Sequence, residues 1–534
     1  MKIRTAEPVA RFVTILSLLA VCVLLTSAAL EASSDRGSVS RHNDGLSVAR
    51  HHFVLNGLRR VPGQWGELDV SENRNNPNSR KIKVIFGRLP AAGEIAGLPI
   101  FFIAGGPGAS GIGSFASNAE WLLPLRRRGD LILVEQRGTG FSRPRLDCAE
   151  RWDLSIKAPL KRSQLIETAR ERFAACRRVW QAEGVDLAGY NTVAYAEDIV
   201  AVADALGYRR FAVIAFSYGT QIALELLRSH SHRLSRAALL GVMGPSDSLR
   251  NPMDHDAVLG RAAALLHDDE ASEVYPDLVA STAEAIAMLR RRPVQVSIPD
   301  AENGQPVEFV FDELAYRRQM VTRLGMRNEL AILPRFNHAL LGGDDQEWLQ
   351  SELRNRLRGL LWTRKGPLSM RSAAQHYATV CAAADPAPRD HVSPDCVLGH
   401  TFHPALPEAC DAWQVPNLGD AFRRAPRSNV PVLMFSADLD TKTPMKQAER
   451  LLPHLSNARH VVLMNAGHDD LLEVVEEVRT RLDAFFAGRA VSASPIVLGP
   501  IQFSLPSEQP APCGQANCSR HSVSTPFAAR ATSL

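Results

Sequence analysis

The serine of the segment AFSYG, residues 215–219, is a candidate nucleophile. An apolar, strand-like run precedes it and a helical pattern follows it, which predicts a sharp strand-to-helix turn with Ser217 at its tip. Such a turn needs small residues on both sides of the serine, because the helix folds back closely against the strand. Gly219 meets this need, and Ala215 exceeds glycine by one methyl group. Taken alone, the pattern also fits an ordinary serine in a turn.

Candidate partners for the serine follow two later strands. A serine hydroxyl is a weak nucleophile without a base. The segment DLDTKTP, with Asp438 and Asp440, comes directly after one predicted strand, and the segment AGHDD, with His468, comes after the next. Serine, acid, histidine is the chain order of a triad built around such a turn. We therefore expect His468 to take the proton of Ser217 and return it to the leaving group, while a carboxylate holds the imidazole tautomer.

A tetrahedral intermediate would also need hydrogen-bond donors for its oxyanion. One candidate is the backbone N–H of Tyr218, the residue after the nucleophile. The other is expected in the glycine-rich segment IAGGPGASGIGS, residues 103–114, because glycines let the backbone approach a substrate closely. A phosphate-binding loop is the rival interpretation, but the segment lacks both the lysine and the glycine spacing of the common phosphate-binding motifs.

The elements that must position these residues alternate along the chain. A helix is predicted over residues 192–207, where apolar side chains fall on one face and Gly207 is a natural stop. A second helix follows Ser217, and an amphipathic helix is predicted over 470–488. This alternation predicts a mostly parallel sheet with helices on both faces. Short apolar runs predict strands at residues 81–87, 98–104, 130–135, 211–215, 236–241, 430–437 and 459–465.

The region between about residues 245 and 427 differs from its surroundings. It is rich in Arg, Ala and Leu and is mostly helical in pattern. A helical block between two halves of one sheet indicates an inserted cap. The predicted division is a signal peptide at 1–29, a flexible leader at 30–59, a first core part at 60–245, a helical cap at 246–427, a second core part at 428–488 and an irregular tail at 489–534.

The N-terminus has the features of a secretory signal. Lys2, Arg4 and Arg11 precede an apolar run at residues 12–30, and small residues favour cleavage after Ala29. The predicted location is therefore periplasmic or secreted. The alternative is an anchor that stays uncleaved, because the run is just long enough to cross a bilayer. No later segment is apolar enough to span, so no stable membrane insertion is expected once the signal is removed.

Composition, charge and cysteine content limit the other classes of protein that this chain could belong to. The chain has 534 residues, 45% hydrophobic and 22% charged, with a net charge of +4, which is ordinary for a globular protein. The arginine runs at 126–128 and 290–292 are interpreted as solvated faces, so no nucleic-acid partner is expected. Of eight cysteines, Cys22 falls in the signal, and seven remain in an exported chain, where disulfides persist. Their spacing neither reveals the pairing nor matches a zinc site.

Together these motifs resemble secreted α/β-hydrolases of the proline iminopeptidase and tripeptidyl aminopeptidase family. GGPG at residues 105–108 is similar to that family's HGGPG loop, and EQRGTGFS at 135–142 is similar to its DQRGxGxS segment. FSYGT resembles its GxSYGT turn, DLDTKTP its GxxDxxTP acid loop, and AGH its histidine loop. The resemblance covers most of residues 60–490.

The resemblance implies an α/β-hydrolase fold with an inserted helical cap and a catalytic triad of Ser217, Asp440 and His468. Within the acid loop it places Asp440, rather than Asp438 two residues earlier, in the catalytic position.

The resemblance also implies roles for backbone groups and for two cysteines. It makes Gly106, with Gly105 close behind, the second oxyanion donor beside Tyr218. Cys381 and Cys410 resemble the cysteine pair that precedes the family's C-terminal region.

Four positions depart from the family pattern. Ala104 stands where the family has histidine, Glu135 replaces aspartate, and Ala215 and Ala437 replace glycines. None of these changes removes a triad member or an oxyanion donor. They indicate a divergent branch that keeps the chemistry.

The expected function is that of an exported serine hydrolase, an aminopeptidase that releases N-terminal residues or short peptides through an acyl-serine intermediate. The alternative is a carboxylesterase or lipase with the same triad, and a third hypothesis is a non-catalytic binding protein on a hydrolase scaffold. The expected partner is a small peptide or ester substrate, and no metal or organic cofactor is implied. Acidic segments of the cap, at residues 267–277 and 342–348, are candidates for binding a substrate amine, although solvated charge is the favoured interpretation.

Overall fold

The computed structural model describes most of the chain. The predicted signal peptide, Cys513 and Cys518 lie outside the described residues. The described residues are 40–41, 45–55, 59–93, 97–148, 158–159, 161–247, 251–299, 305–365, 372–385, 396–399, 407–473 and 475–506. None of the helices in these ranges has both the length and the apolar character that a bilayer span requires.

Strands of these ranges form one large sheet of eleven strands and one separate pair. The strands are β1 (Ser40–Arg41), β2 (Leu46–Leu55), β3 (Arg59–Ser71), β4 (Lys81–Leu89), β5 (Ile100–Ile103), β6 (Leu131–Val134), β7 (Phe211–Phe216), β8 (Leu234–Leu240), β9 (Val294–Pro299), β10 (Pro306–Phe311), β11 (Val432–Ala437), β12 (Ala458–Met464) and β13 (Ile496–Val497). Each strand predicted from an apolar run is present, with ends that shift by at most a few residues.

Helices connect the strands and build the cap. They are α1 (Gly111–Leu122), α2 (Arg162–Ala182), α3 (Thr192–Ala205), α4 (Tyr218–Ser229), α5 (Pro252–His267), α6 (Leu278–Arg291), α7 (Glu313–Leu324), α8 (Arg327–Leu330), α9 (Leu333–Leu340), α10 (Gln346–Lys365), α11 (Ala373–Ala383), α12 (Cys410–Trp413), α13 (Gly419–Arg423), α14 (Met445–Glu449), α15 (Asp470–Glu473) and α16 (Glu476–Phe486). The single helix predicted over 470–488 is two helices, because the backbone of Val475, with φ −55° and ψ 160°, is not helical and forms the N-cap of α16.

The large sheet has the order β1-β2-β3-β4-β6-β5-β7-β8-β11-β12-β13. Neighbours are antiparallel from β1 to β6 and parallel from β6 to β13. Strands β5, β6, β7 and β11 are buried along their whole length, since helices cover both faces. This explains why these strands appear in the sequence as continuous apolar runs. The carboxyl ends of the parallel strands share one edge, where open α/β sheets bind ligands.

The first long strand lies where the sequence predicted a flexible leader. That prediction is wrong for residues 46–55, which form β2 and pair with β3 from Leu46 opposite Leu68 to Leu55 opposite Arg59. Histidines and arginine interrupt the apolar pattern of this segment. Its inward-facing side chains, including Phe53, become buried only through the long-range pairing with β3.

Two apolar layers hold the sheet between its helices. One face packs on α3 and α4, where Tyr195 and Ile222 join side chains of the central strands. The other face packs on α1 and α16, where Phe115 and Leu482 do the same. The sheet and the helices on its two faces therefore form three layers.

The cap has a core of its own, built by α5, α6, α7, α9, α10 and the β9–β10 hairpin around residues such as Tyr316 and Phe336. The sequence predicted few strands here, and the antiparallel pair of β9 and β10 is in line with that expectation. The predicted irregular tail differs in part. β13 pairs with β12, and Ile501 and Phe503 are buried in the cap core.

Helices α11 and α12 fall within the predicted cap range but pack on the core of the large sheet. Tyr377 and Trp413 contact Phe173 of α2, with ring centroids 4.2 and 6.0 Å away. These aromatic contacts, rather than sequence position, decide which layer the two helices join.

Two disulfides fasten this region. Cys381 pairs with Cys410, as the family resemblance implied. Cys148 pairs with Cys176 of α2, which the spacing did not reveal. Cys396 is not in a disulfide.

Candidate active site

Ser217 occupies the turn between β7 and α4. Its backbone has φ +53° and ψ −126°, a conformation that non-glycine residues rarely adopt. Such strain persists only where surrounding structure enforces it, and it clusters at functional sites. Here the N–H of Ser217 donates to the carbonyl of Leu240 on β8 at 2.9 Å, which pins the turn to the neighbouring strand.

The surroundings of positions 215 and 219 explain why alanine can replace the first glycine of the motif and why the second position must remain glycine. A Cβ at Gly219 would lie 2.4 Å from the carbonyl oxygen of Ile103 and 2.6 Å from that of Ala104, so only glycine fits. Ala215 is fully buried within β7, and its methyl group is part of the apolar layer of the sheet. The departure of Ala215 from the glycine pattern is therefore accommodated by packing.

Asp440 and His468 meet at the same sheet edge. Asp440 lies in the loop after β11, and His468 lies in the loop after β12. Oδ2 of Asp440 is 2.7 Å from Nδ1 of His468, and the two residues are 0% and 3% exposed. Because a carboxylate only accepts hydrogen bonds, this contact places the ring proton on Nδ1 and leaves Nε2 free to accept.

Thr443 completes this pair and was not singled out in the sequence. Its hydroxyl is 2.6 Å from Oδ2 of Asp440 and 3.1 Å from Nδ1 of His468. The other carboxylate oxygen of Asp440 accepts the N–H groups of Lys442 and Thr443 at 2.7 and 2.9 Å. The sequence did contain a clue to this role, because Thr443 is the threonine of the acid-loop motif. It lies in the turn whose N–H groups and hydroxyl donate to Asp440.

The surroundings keep Asp440 ionised. Burial by itself raises the pKa of this carboxyl, but the adjacent His468 and the hydrogen bonds from Thr443 outweigh burial and lower the pKa to about 2. A carboxylate at this position can stabilise the imidazolium that forms when a histidine acts as general base.

Asp438 has a different set of partners. Its Oδ2 accepts Nε of Arg261 at 2.8 Å, and its Oδ1 accepts the N–H of Ala466 at 3.1 Å. These contacts tie a cap helix and the histidine loop to the end of β11. The structure therefore brings Asp440, and not Asp438, against the imidazole.

The ring of His468 is held close to the serine turn. It packs on the ring of Phe216, the residue before Ser217, with centroids 4.9 Å apart. On another side, a Cβ at Gly241 would lie 3.2 Å from Cε1 of His468. This packing restricts the ring to the end of β7, next to the nucleophile candidate.

The glycine-rich loop passes directly over Ser217. A Cβ at Gly105 would lie 3.1 Å from Cβ of Ser217. Gly106 has φ +126°, and a Cβ there would lie 2.8 Å from the N–H of Gly108. Glycine is required at Gly106 because the loop turns back on itself while it approaches the serine.

Tyr218 is the first residue of α4, so its N–H has no partner within the helix and lies at the positive end of the helix dipole. Its phenol is buried and 3.0 Å from the hydroxyl of Thr192. Burial raises the pKa of that phenol well above its usual value. Only the backbone of Tyr218 is thus a candidate for binding an oxyanion.

The acidic cap segments hold structural roles where their contacts are seen. Asp269 and Asp277 accept backbone N–H groups at helix starts, and Asp345 forms an ion pair with Arg335. These contacts give three of the carboxylates structural roles.

Comparison with known families identifies the class that this fold and site define. The alpha/beta hydrolase fold family matches residues 99–474, well over half of the chain. The protein therefore belongs to that family, and the predicted fold class is confirmed.

Individual relatives are more distant. YuaR of Escherichia coli (strain K12), a protein named as a hydrolase, is 30% identical over 171 residues, which is 32% of this chain and 32% of YuaR. The serine protease Hip1 of Mycobacterium tuberculosis (strain ATCC 25618 / H37Rv) is 26% identical over 260 residues, which is 46% of this chain and 49% of Hip1. The aligned parts thus span no more than about half the length of these relatives. These matches do not single out the proline iminopeptidase family.

Among solved structures, a thermophilic esterase from Thermogutta terrifontis is 13% identical, covers 79% of this chain and 98% of its own, and has a TM-score of 0.35. A likeness at that level adds nothing about activity.

Proposed function

We propose that this protein is an exported serine hydrolase in which Ser217, His468 and Asp440 form a catalytic triad. The observation that carries the proposal is the buried contact of 2.7 Å between Asp440 and His468, at the sheet edge where the strained turn presents Ser217. This arrangement has the chemical parts that nucleophilic acyl transfer requires: a nucleophile, a base and a group that orients the base.

In the proposed reaction, Oγ of Ser217 attacks a substrate carbonyl while Nε2 of His468 accepts its proton. Asp440 stabilises the imidazolium that results. The N–H groups of Tyr218 and Gly106, with Gly105 beside it, bind the oxyanion. His468 then gives the proton to the leaving group, which departs and leaves an acyl-serine. In the second half, water attacks the acyl carbon while His468 accepts its proton, and His468 returns this proton to Oγ of Ser217 as the bond from Oγ to the acyl group breaks.

We further propose that the substrate is a peptide with a free N-terminus. Support comes from the GGPG, EQRGTGFS and FSYGT motifs, which resemble those of aminopeptidases, and from the match to a protein named as a serine protease. Export is supported by the two disulfides, because disulfides persist mainly outside the cytosol.

Covalent labelling tests the triad. A fluorophosphonate probe should label the wild-type protein, and Ser217→Ala should abolish labelling. Ser229→Ala, on the far end of the same helix, is the matched control and should label normally, since its hydroxyl donates to the carbonyl of Glu225 at 2.7 Å, away from the proposed triad. Full labelling of Ser217→Ala would contradict the proposal, and a wild-type protein that forms no adduct would favour a binding protein.

Paired substrates test the reaction class. Aminoacyl- and tripeptidyl-anilides, each with a free or an acetylated N-terminus, should be compared with short acyl nitrophenyl esters. An aminopeptidase hydrolyses the free anilides and spares the acetylated ones. Turnover of esters alone would establish a carboxylesterase in place of a peptidase.

A further inference from the structure

The residue at the carboxyl end of β6, Glu135, is completely buried and carries a carboxylate that the proposed chemistry does not use. Its Oε1 accepts the hydroxyl of Ser110 at 2.6 Å and the N–H of Ile112 at 3.2 Å. Its Oε2 accepts the N–H of Gly111 at 2.9 Å and the hydroxyl of Thr139 at 3.3 Å. The carboxylate is thus surrounded by neutral donors.

Three of these four donors belong to the start of α1, directly after the GGPG segment. Ser110 is the N-cap of α1, and its hydroxyl oxygen accepts the N–H of Gly113 at 2.9 Å. A carboxylate at this position satisfies N–H groups that the helix cannot, and it lies at the positive end of the helix dipole. Glu135 therefore fixes where α1 begins, and with it the end of the loop that passes over Ser217.

The next residue fastens the beginning of the same loop. Nε2 of Gln136 donates to the carbonyl of Ala104 at 3.1 Å, immediately before Gly105. Its side-chain oxygen accepts Nε2 of Gln375, on α11, at 3.4 Å. Two consecutive side chains after β6 thus hold both ends of one short loop.

Helix α11 closes over the middle of the loop. The N–H of Ser372 donates to the carbonyl of Gly108 at 3.0 Å, and Nδ1 of His376 lies 3.2 Å from the carbonyl of Pro107. The segment 105–110, which we call the oxyanion loop, therefore has contacts at its start, middle and end.

We propose that Glu135 is a positioning residue that sets the oxyanion loop in the geometry that transition-state stabilisation requires, with Gln136 holding the opposite end. The inference rests on the proposed hydrolase function. Donors that bind an oxyanion act through their preorganised placement, so a loop that shifts by a fraction of an ångström loses rate rather than substrate affinity.

A structural role alone accounts poorly for a buried carboxylate here. Removing a carboxylate from water is unfavourable, and burial raises the pKa of Glu135 despite its hydrogen bonds. The site also demands glycine nearby, since a Cβ at Gly140 would lie 2.4 Å from Oε2 of Glu135. The chain thus makes room for a carboxylate that accepts three hydrogen bonds from the end of one loop and the start of α1.

The test measures how fast a fluorophosphonate reacts. Oγ of Ser217 attacks phosphorus and fluoride leaves, so the phosphonyl oxygen of the probe must enter the oxyanion site whatever the natural substrate is. In Glu135→Gln the amide nitrogen would face the backbone N–H of Gly111 or Ile112, so the end of the oxyanion loop must move. We expect the maximal rate of inactivation to fall on the order of 10²-fold while the concentration for half-maximal rate stays within about twofold. Glu135→Asp, which keeps the charge, should recover part of that rate.

The matched control is Glu72→Gln. Glu72 is also a buried glutamate, and it accepts hydrogen bonds from Arg80, Tyr190 and the N–H of Asp186, away from the oxyanion loop. It should lose stability and keep its rate of inactivation.

An unchanged maximal rate in Glu135→Gln, or an equal loss in Glu72→Gln, would overturn the positioning role. Should Glu135→Gln fail to fold, Gln136→Ala tests the other end of the oxyanion loop, and it should likewise lower the maximal rate of inactivation by the fluorophosphonate. Full labelling of Ser217→Ala would instead overturn the proposed function itself, so the two failures are distinguishable.

Discussion

Replacing Asp440 by asparagine tests the centre of the proposed triad. Oδ2 of Asp440 faces Nδ1 of His468 and the hydroxyl of Thr443, while Oδ1 faces the N–H groups of Lys442 and Thr443. An asparagine must turn its NH₂ toward one of these two sets. Either orientation opposes a donor to a donor, so the geometry of the present site cannot be kept.

If the NH₂ faces His468, the imidazole must accept at Nδ1 and carry its proton on Nε2. Nε2 is then unable to take the proton of Ser217. We expect kcat/KM to fall on the order of 10⁴-fold, or about 5.4 kcal/mol of transition-state stabilisation. The same loss should appear in the rate of fluorophosphonate labelling.

If the NH₂ instead faces the backbone N–H groups, the turn after β11 loses its anchors and stability falls. The charge of Asp440 also links stability to pH. Its pKa of about 2 lies below the ordinary value of 3.8, because His468 and Thr443 stabilise the ionised form, and this lowering stabilises the folded state by on the order of 2 kcal/mol. Since the folded-state pKa is the lower one, this stabilisation is complete above about pH 4 and is lost as the pH falls through about 2. Urea unfolding of Asp440→Asn should lack this part of the pH dependence.

The matched control is Asp438→Asn, two residues away. Asp438 binds Arg261 and the N–H of Ala466, so its loss should lower stability by about 1–3 kcal/mol and leave kcat/KM within about tenfold of wild type. A larger catalytic loss in Asp438→Asn than in Asp440→Asn would refute the acid assignment. Retention of more than about a tenth of wild-type kcat/KM in Asp440→Asn would refute the tautomer argument.

Three further variants probe what surrounds the triad. Thr443→Val removes a hydroxyl that contacts both Asp440 and His468, so kcat should fall about tenfold, and Thr443→Ser should recover it, as steady-state kinetics would show. Gly219→Ala would place a methyl group 2.4 Å from the carbonyl of Ile103, and we expect the free energy of unfolding to fall by about 1–3 kcal/mol; an unchanged urea midpoint would contradict this. The double replacement of Cys381 and Cys410 by alanine opens a loop of 29 residues, and thermal unfolding should report a loss of about 3–4 kcal/mol, with wild type in reductant as the parallel measurement.

Much of the fold could be predicted because its signals are local. The central strands are buried on both faces and therefore appear as short apolar runs. The helical pattern predicted α3 over 192–207, and α3 ends at Ala205, two residues before Gly207. Strand β2 could not be predicted in the same way. Its polar sequence becomes a strand only when β3, which follows it in the chain, pairs with it along ten residues.

The same division applies to the cap. The apolar periodicity of 246–427 predicted helices, but it could not tell which layer each helix joins. Helices α11 and α12 contact the core through Tyr377 and Trp413, and Phe503 of the tail enters the cap core. Such contacts join residues that are far apart in sequence, so no local pattern records them.

For the candidate site, the sequence by itself determined the residue types and their order: a serine between small residues, an acid and a histidine after later strands, and a glycine-rich segment after an early one. Only the tertiary structure decided which groups meet. It places the carboxylate of Asp440 within hydrogen-bond distance of His468, whereas the carboxylate of Asp438 accepts a hydrogen bond from Arg261. It also buries the carboxylate of Glu135 at the start of α1. The reason is physical: chemistry depends on distances of about 3 Å between atoms, and strands hundreds of residues apart reach those distances only where the sheet brings their ends to one edge.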